Sequence, residues 1–94
     1  MATYLLFGQY SQEALKDISA KRTMKAREII EKFGGSVKAG YALLGDTDLV
    51  LVLEAPDTES VMKISVGLSK MSGIGFTSAP AVTFEEFDQY MEEV

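Results

Sequence analysis

The spacing of apolar residues switches repeatedly between two and three-to-four along this chain, and each switch marks a new element. Thr3-Tyr4-Leu5-Leu6-Phe7-Gly8-Gln9-Tyr10 is rich in aromatic and branched residues and predicts a first strand. Ser11 then offers a helix N-cap, with Gln12 and Glu13 where the helix dipole favours polar or acidic groups. The stripe Leu15, Ile18, Ala26, Ile29 and Phe33 predicts one helix ending at Gly34-Gly35, with Arg22 interrupting its apolar face. Val37 to Leu44 alternates imperfectly as a second strand, with Val37, Ala39, Tyr41 and Leu43 on one face. Leu49 to Leu53 is apolar throughout, as in a third strand covered on both faces. Between them Gly45 and Asp46 predict a tight turn, because glycine takes positive φ at little cost and aspartate bonds its own backbone. Asp57, after Pro56, caps a second helix with the stripe Val61, Ile64, Leu68 and Met71, which Ser72-Gly73 ends. Ile74 to Val82 forms a fourth strand whose Pro80 cannot donate to a ladder and so belongs on an edge. Thr83-Phe84-Glu85-Glu86 fits a capping box that opens a short C-terminal helix, expected to dock through Phe84 and Phe87.

The resulting order, β-α-β-β-α-β, constrains the sheet. The first and third strands are the most apolar and belong in the centre; Lys38, Gly40 and Pro80 mark the second and fourth as edges. With right-handed crossovers, both helices cover one face of an antiparallel sheet of order 4-1-3-2, an α+β ferredoxin-like sandwich. The opposite face is then bare and too apolar for a monomer, so a second copy is expected to cover it. A homodimer, or a higher oligomer of dimers, follows.

Length and charge narrow the picture further. Ninety-four residues are expected to form one domain, residues 1–94, with no linker or second unit. No apolar run approaches the roughly 18 residues of a membrane helix, and Met1-Ala2-Thr3-Tyr4 carries no targeting signal, so a cytoplasmic protein is expected. The net charge of -5 matches the five acids Glu85, Glu86, Asp88, Glu92 and Glu93 near the C-terminus, where no basic residue lies. Nucleic-acid binding is disfavoured, because lysine and arginine must replace phosphate counterions and those of Lys16 to Lys38 are interleaved with acids. The third strand also lacks the basic and aromatic signature of RNA-binding sheets of this topology.

The chain contains no histidine and no cysteine. That removes serine-histidine triads, cysteine nucleophiles, zinc sites of nitrogen and sulfur ligands, and imidazole ligation of haem. Asp46 and Asp48 do not continue into a calcium loop, so no metal is expected and a turn role is favoured. No cofactor is expected either. Asp48 is the alternative as a general base at a barrel mouth. Arg22 has three readings: a pair with a buried carboxylate such as Glu54, snorkelling to the surface, or capture of an anionic ligand. Glu54 shares the face of Val50 and Val52 and also needs a partner. Tyr4, Tyr10 and Tyr41 are expected as amphipathic core tyrosines able to orient a ligand. Met62 and Val66 belong to the outer side of the second helix. Ser72-Gly73-Ile74-Gly75 lies between helix and strand, the reverse of a dinucleotide site.

The segments Ala2-Thr3-Tyr4-Leu5-Leu6, Ile29-Ile30-Glu31-Lys32-Phe33-Gly34-Gly35, Tyr41-Ala42-Leu43-Leu44-Gly45 and Asp48-Leu49-Val50-Leu51-Val52-Leu53-Glu54-Ala55-Pro56-Asp57 resemble the GYD domain family. Gly45 and Asp48 match its motif, while Thr47 stands where the tyrosine belongs. The resemblance implies a dimeric α+β barrel, two ferredoxin-like sheets face to face, in a family without an assigned activity. The expected function is a non-catalytic homo-oligomeric module that binds a small, mainly apolar molecule or serves a regulatory role. Arg22, Tyr41, Asp48 and Glu54 are the candidate ligand-binding residues. The rivals are a cofactor-independent oxygenase or isomerase using Asp48 or a tyrosine as base, and a purely structural assembly unit.

Overall fold

The computed structural model describes residues 1–94 and has the element order β1 (Ala2–Gln9), α1 (Gln12–Lys16), α2 (Ala20–Lys32), β2 (Ser36–Ala42), β3 (Leu49–Ala55), α3 (Thr58–Ser72), β4 (Gly75–Ala81) and α4 (Phe84–Glu92). The four strands form one antiparallel sheet in the order β2-β3-β1-β4. The apolar strands β1 and β3 lie in its centre, and Pro80 lies on the β4 edge. This is the ferredoxin-like α+β arrangement that the sequence predicts.

One face of the sheet carries the helices. Tyr4 and Leu6 of β1 stand opposite Leu53 and Leu51 of β3, and with Ala55 they meet Ile30 of α2 and Val61, Ile64 and Leu68 of α3 in the core. Period-two alternation sends the neighbouring residues the other way. Leu5, Phe7, Val50 and Val52 therefore share the opposite face, where the register sets Leu5 beside Val52 and Phe7 beside Val50. They are only partly buried, because no element lies over them.

Helix ends follow the expected chemistry. Ser11, Asp57 and Thr83 cap α1, α3 and α4 through their side-chain oxygens, and Thr83 with Glu86 closes a full capping box. Gly73 ends α3 with φ 75°, a left-handed conformation that a side chain would strain. The Ser60 N–H donates to Asp57 Oδ1 at 2.8 Å. That bond, with a lesser contribution from the charge of Lys63, holds the Asp57 carboxyl below its usual value of 3.8. The carboxylate cap therefore stabilises fully above pH 3.8 and is lost as pH falls through its lower folded value. Asp57→Asn, which keeps an N-cap but cannot titrate, is expected to flatten that part of an acid-unfolding profile followed by circular dichroism.

Four local expectations are corrected by the structure. The predicted first helix is two helices: the chain breaks at Asp17–Ser19, Ser19 caps α2 by accepting from the Arg22 N–H at 3.1 Å, and Leu15 and Ile18 are each 56% exposed instead of lying on an inward stripe. The β2–β3 connection is a six-residue loop, Leu43 to Asp48, in place of a tight turn; Leu44 is fully exposed and Gly45 adopts φ 145°. Its neck is closed by Leu43 N–H to the Asp48 carbonyl, 2.8 Å. A bulge between Val37 and Ala39 changes the parity of β2, so Val37 pairs beside Leu53 on the helix face while Ala39 and Tyr41 pair beside Val52 and Val50 on the open face. Finally, α4 forms but does not dock, because Phe84 is 90% and Phe87 48% exposed.

Candidate functional site

Breaking the first helix at Asp17–Ser19 has a local consequence for Arg22. Its position in the first turn of α2, just beyond the Ser19 cap, lets its guanidinium reach back to the end of α1 and donate through Nη1 to the Ala14 carbonyl. The same guanidinium sits over the Tyr10 ring, 5.7 Å from its centroid, within cation–π range. Tyr10 is itself fixed at the end of β1, where its N–H donates to Asp48 Oδ2 at 2.8 Å. Asp48 completes the junction by donating its own N–H to the Gly8 carbonyl at 2.9 Å. Asp48 thus ties the loop to the end of β1, the turn role that the sequence favours.

Between α2, α3 and the sheet lies a cleft of about 130 Å³ with Arg22 and Tyr10 at one side and an apolar wall that includes Leu49, Leu68, Met71 and Phe76. A space of that size accepts a group about as large as a benzene ring. A wider groove of about 350 Å³ continues from it along the β2 edge. The two share Tyr10, Thr23, Ala26, Leu49 and Leu51, and the groove adds Arg27 and Tyr41. Ala26 is a small residue in the lining of both spaces, and Gly40 is a second one in the groove.

Of the four residues proposed from sequence, Arg22 lines the cleft, Tyr41 borders the groove on the edge strand although its pairing with Val50 puts it on the open-face parity, and Asp48 braces the cleft from behind through Tyr10. Glu54 lies elsewhere. It projects from the open sheet face, 2.9 Å from Lys38 Nζ, with its side chain about one-third exposed. The expected Arg22–Glu54 pair is therefore absent: Arg22 belongs to the helix layer, Glu54 to the opposite side of the sheet, and the bulge at Val37–Ala39 brings Lys38 to Glu54 instead. Tyr4 is buried, its hydroxyl 3.4 Å from that of Thr58, whereas Tyr41 is 60% exposed and is not a core residue. Met62 and Val66 stand exposed on α3 as expected. Thr23 and Phe76 carry no sequence signal beyond Thr23 following Arg22 directly, and Met71, the last residue of the inward stripe of the second helix, also lines the cleft.

The family model for the GYD domain matches residues 4–91. The chain belongs to the GYD domain family. No curated protein matches this GYD domain. Among solved structures it is similar to the leucine response regulatory protein LrpA of Mycobacterium tuberculosis, at 12% identity and a TM-score of 0.63 over 88% of this chain and 52% of that one. A second structure, described as a glutamate-to-alanine mutant, matches at 12% identity and a TM-score of 0.58, with the same two coverages. At that identity the likeness concerns the fold alone, and the GYD domain spans about half the length of both chains. No helix of the GYD domain is long and apolar enough to cross a membrane.

Proposed function

We propose that this GYD domain acts as one unit, residues 1–94, in a homodimer or an assembly of dimers, and binds a small, mainly apolar molecule with one anionic group, in a regulatory and not a catalytic capacity. The observation that carries this reading is Arg22: a cation beside an apolar cleft, held by a carbonyl and an aromatic face, with no carboxylate paired to it. An arginine has five N–H donors in a planar fork, and the Ala14 carbonyl takes only part of that capacity. The remaining donors suit a carboxylate, while Leu49, Leu68 and Met71 suit an apolar body. The sheet face of Leu5, Phe7, Val50 and Val52 supports the dimer, since a contiguous apolar face of that kind is normally covered. Asp48 is committed to the Tyr10 N–H, which favours binding over base catalysis. The fold shared with a leucine response regulatory protein is in keeping with a ligand-responsive role. The protein is expected to operate in the cytoplasm.

Native mass spectrometry of protein purified from cells tests this directly. The reading expects a mass increment on the dimer that Arg22→Gln abolishes while the dimer and its melting temperature persist. An Arg22→Gln variant that retains the same increment, or wild-type protein that binds none of a panel of aliphatic and aromatic carboxylates, would contradict it.

A further inference from the structure

A row of three residues across the sheet underlies the Arg22 cleft, and its middle side chain is missing. Leu49 of β3 and Phe76 of β4 both stand opposite Gly8 of β1, so all three share the helix face. Gly8 is buried, and a Cβ there would come within 2.9 Å of Leu49 Cγ, 3.0 Å of Phe76 Cε1 and 3.1 Å of Ile74 Cγ2. Those three side chains all line the cleft. A glycine inside a strand often marks such a close approach, and here a larger residue would have to displace its neighbours, for which the cleft is the free space. Gly8 therefore bears on how much room the cleft keeps.

The polar groups around this floor are of one sign. Neither the cleft nor the groove that continues from it has an aspartate or glutamate in its lining. Two of the cleft's hydroxyls are already engaged, Ser72 donating to the Leu68 carbonyl at 2.6 Å and Thr23 to the Ser19 carbonyl at 3.3 Å. The Arg22 guanidinium, over the Tyr10 ring, is the charged group that remains for a guest in the cleft. Such a lining accepts one anion and opposes a cation, because an ammonium entering it would find no carboxylate and would face a guanidinium. An amino acid brings both charges. The same acid without its amino group brings only the favourable one.

We infer that the cleft takes a single-ring aromatic monocarboxylate without an amino group, its carboxylate on Arg22 and its ring over the Gly8 row, with Gly8 and Met71 setting the size of ring admitted. This rests on the ligand-binding reading proposed above and narrows it to a chemical class. A space of about 130 Å³ holds one ring and has no room for a second. Phe76 offers that ring an aromatic partner and Met71 a thioether, contacts that favour an aromatic guest over an alkyl chain of equal area. A rigid ring also loses less conformational freedom on binding than a flexible chain does.

Titration calorimetry at neutral pH with 3-phenylpropanoate, phenylalanine, hexanoate and a naphthyl analogue of the first acid tests the class. The unmodified protein is expected to bind 3-phenylpropanoate about tenfold or more tighter than the other three. Met71→Ala, which shortens a partly buried side chain of the wall, should then admit the naphthyl acid with a gain of about tenfold or more. A gain of binding cannot come from unfolding, so this variant decides the size of the site even where Gly8→Ala fails to fold. Where Gly8→Ala does fold by circular dichroism, it should weaken 3-phenylpropanoate about tenfold or more, and unchanged affinity would overturn the role of Gly8. Phenylalanine or hexanoate bound as tightly as 3-phenylpropanoate, or a naphthyl acid bound equally with and without Met71, overturns the class and leaves the anion site at Arg22 standing. Failure to bind any of the four overturns both.

Discussion

Replacing Val52 by Glu is expected to convert the protein from a dimer to a monomer while leaving the fold intact. Val52 lies near the middle of the open sheet face, beside Leu5 on β1 and Ala39 on β2. In a single copy the new carboxylate remains partly solvated, because Val52 is not fully buried there. In a face-to-face pair it is desolvated against apolar side chains, with the Lys38 ammonium on that face already paired to Glu54, and the symmetry of the pair presents the same charge twice. The cost is several kcal/mol per buried ion, so the dissociation constant should rise by roughly a hundredfold or more. Sedimentation velocity at micromolar concentration, with circular dichroism to verify the fold, checks it. An undiminished dimer would place the interface elsewhere.

Leu53→Ala acts on the other side of the same strand and is expected to give the larger loss of folding stability. Leu53 is fully buried, stands between Tyr4 and Val37 in the sheet register, and belongs to the core with Ile30, Ile64 and Leu68. Removing its branched end loses transfer free energy and leaves a cavity in a close-packed site, about 3 kcal/mol in all. In a domain of this size that lowers the melting temperature by roughly 15 °C. The same truncation at Leu15, which is 56% exposed, should change stability by less than about 0.5 kcal/mol. Chemical denaturation of the two variants side by side distinguishes a core set by β3 from one extended along α1.

The contrast between Leu53 and Leu15 also shows where the fold was legible in the chain. Strand order was readable because edges and centres differ chemically: Lys38, Gly40 and Pro80 against the apolar run of Leu49 to Leu53. Caps at Ser11, Asp57 and Thr83 were readable because a short polar side chain precedes each helical pattern. The break in the first helix was harder. Leu15 and Ile18 continue the inward spacing on paper, but Ser19 competes as a second cap, and a cap ends one helix as it begins the next. The facing of β3 was not readable at all. A strand apolar on both sides carries no alternation to say which side meets the helices, so Glu54 was assigned a partner from the wrong layer. The bulge at Val37–Ala39 compounds this by changing parity within β2.

The candidate site was half legible for a related reason. Arg22 stood out because a charge interrupted an apolar stripe, and the structure places it beside the cleft. The groove beside it is lined by small residues from different elements, Ala26 from α2 and Gly40 from β2, a coincidence of tertiary packing that no local pattern announces. Asp48 was visible as a loop residue, but its bond to the Tyr10 N–H links positions 38 residues apart.

The central claim is that the open face of Leu5, Phe7, Val50 and Val52 is covered by a second copy. Sedimentation equilibrium of the unmodified chain over a range of micromolar concentrations tests it most directly. The account predicts a species of at least twice the 10.3 kDa chain mass across that range; a single ideal species at 10.3 kDa would contradict it.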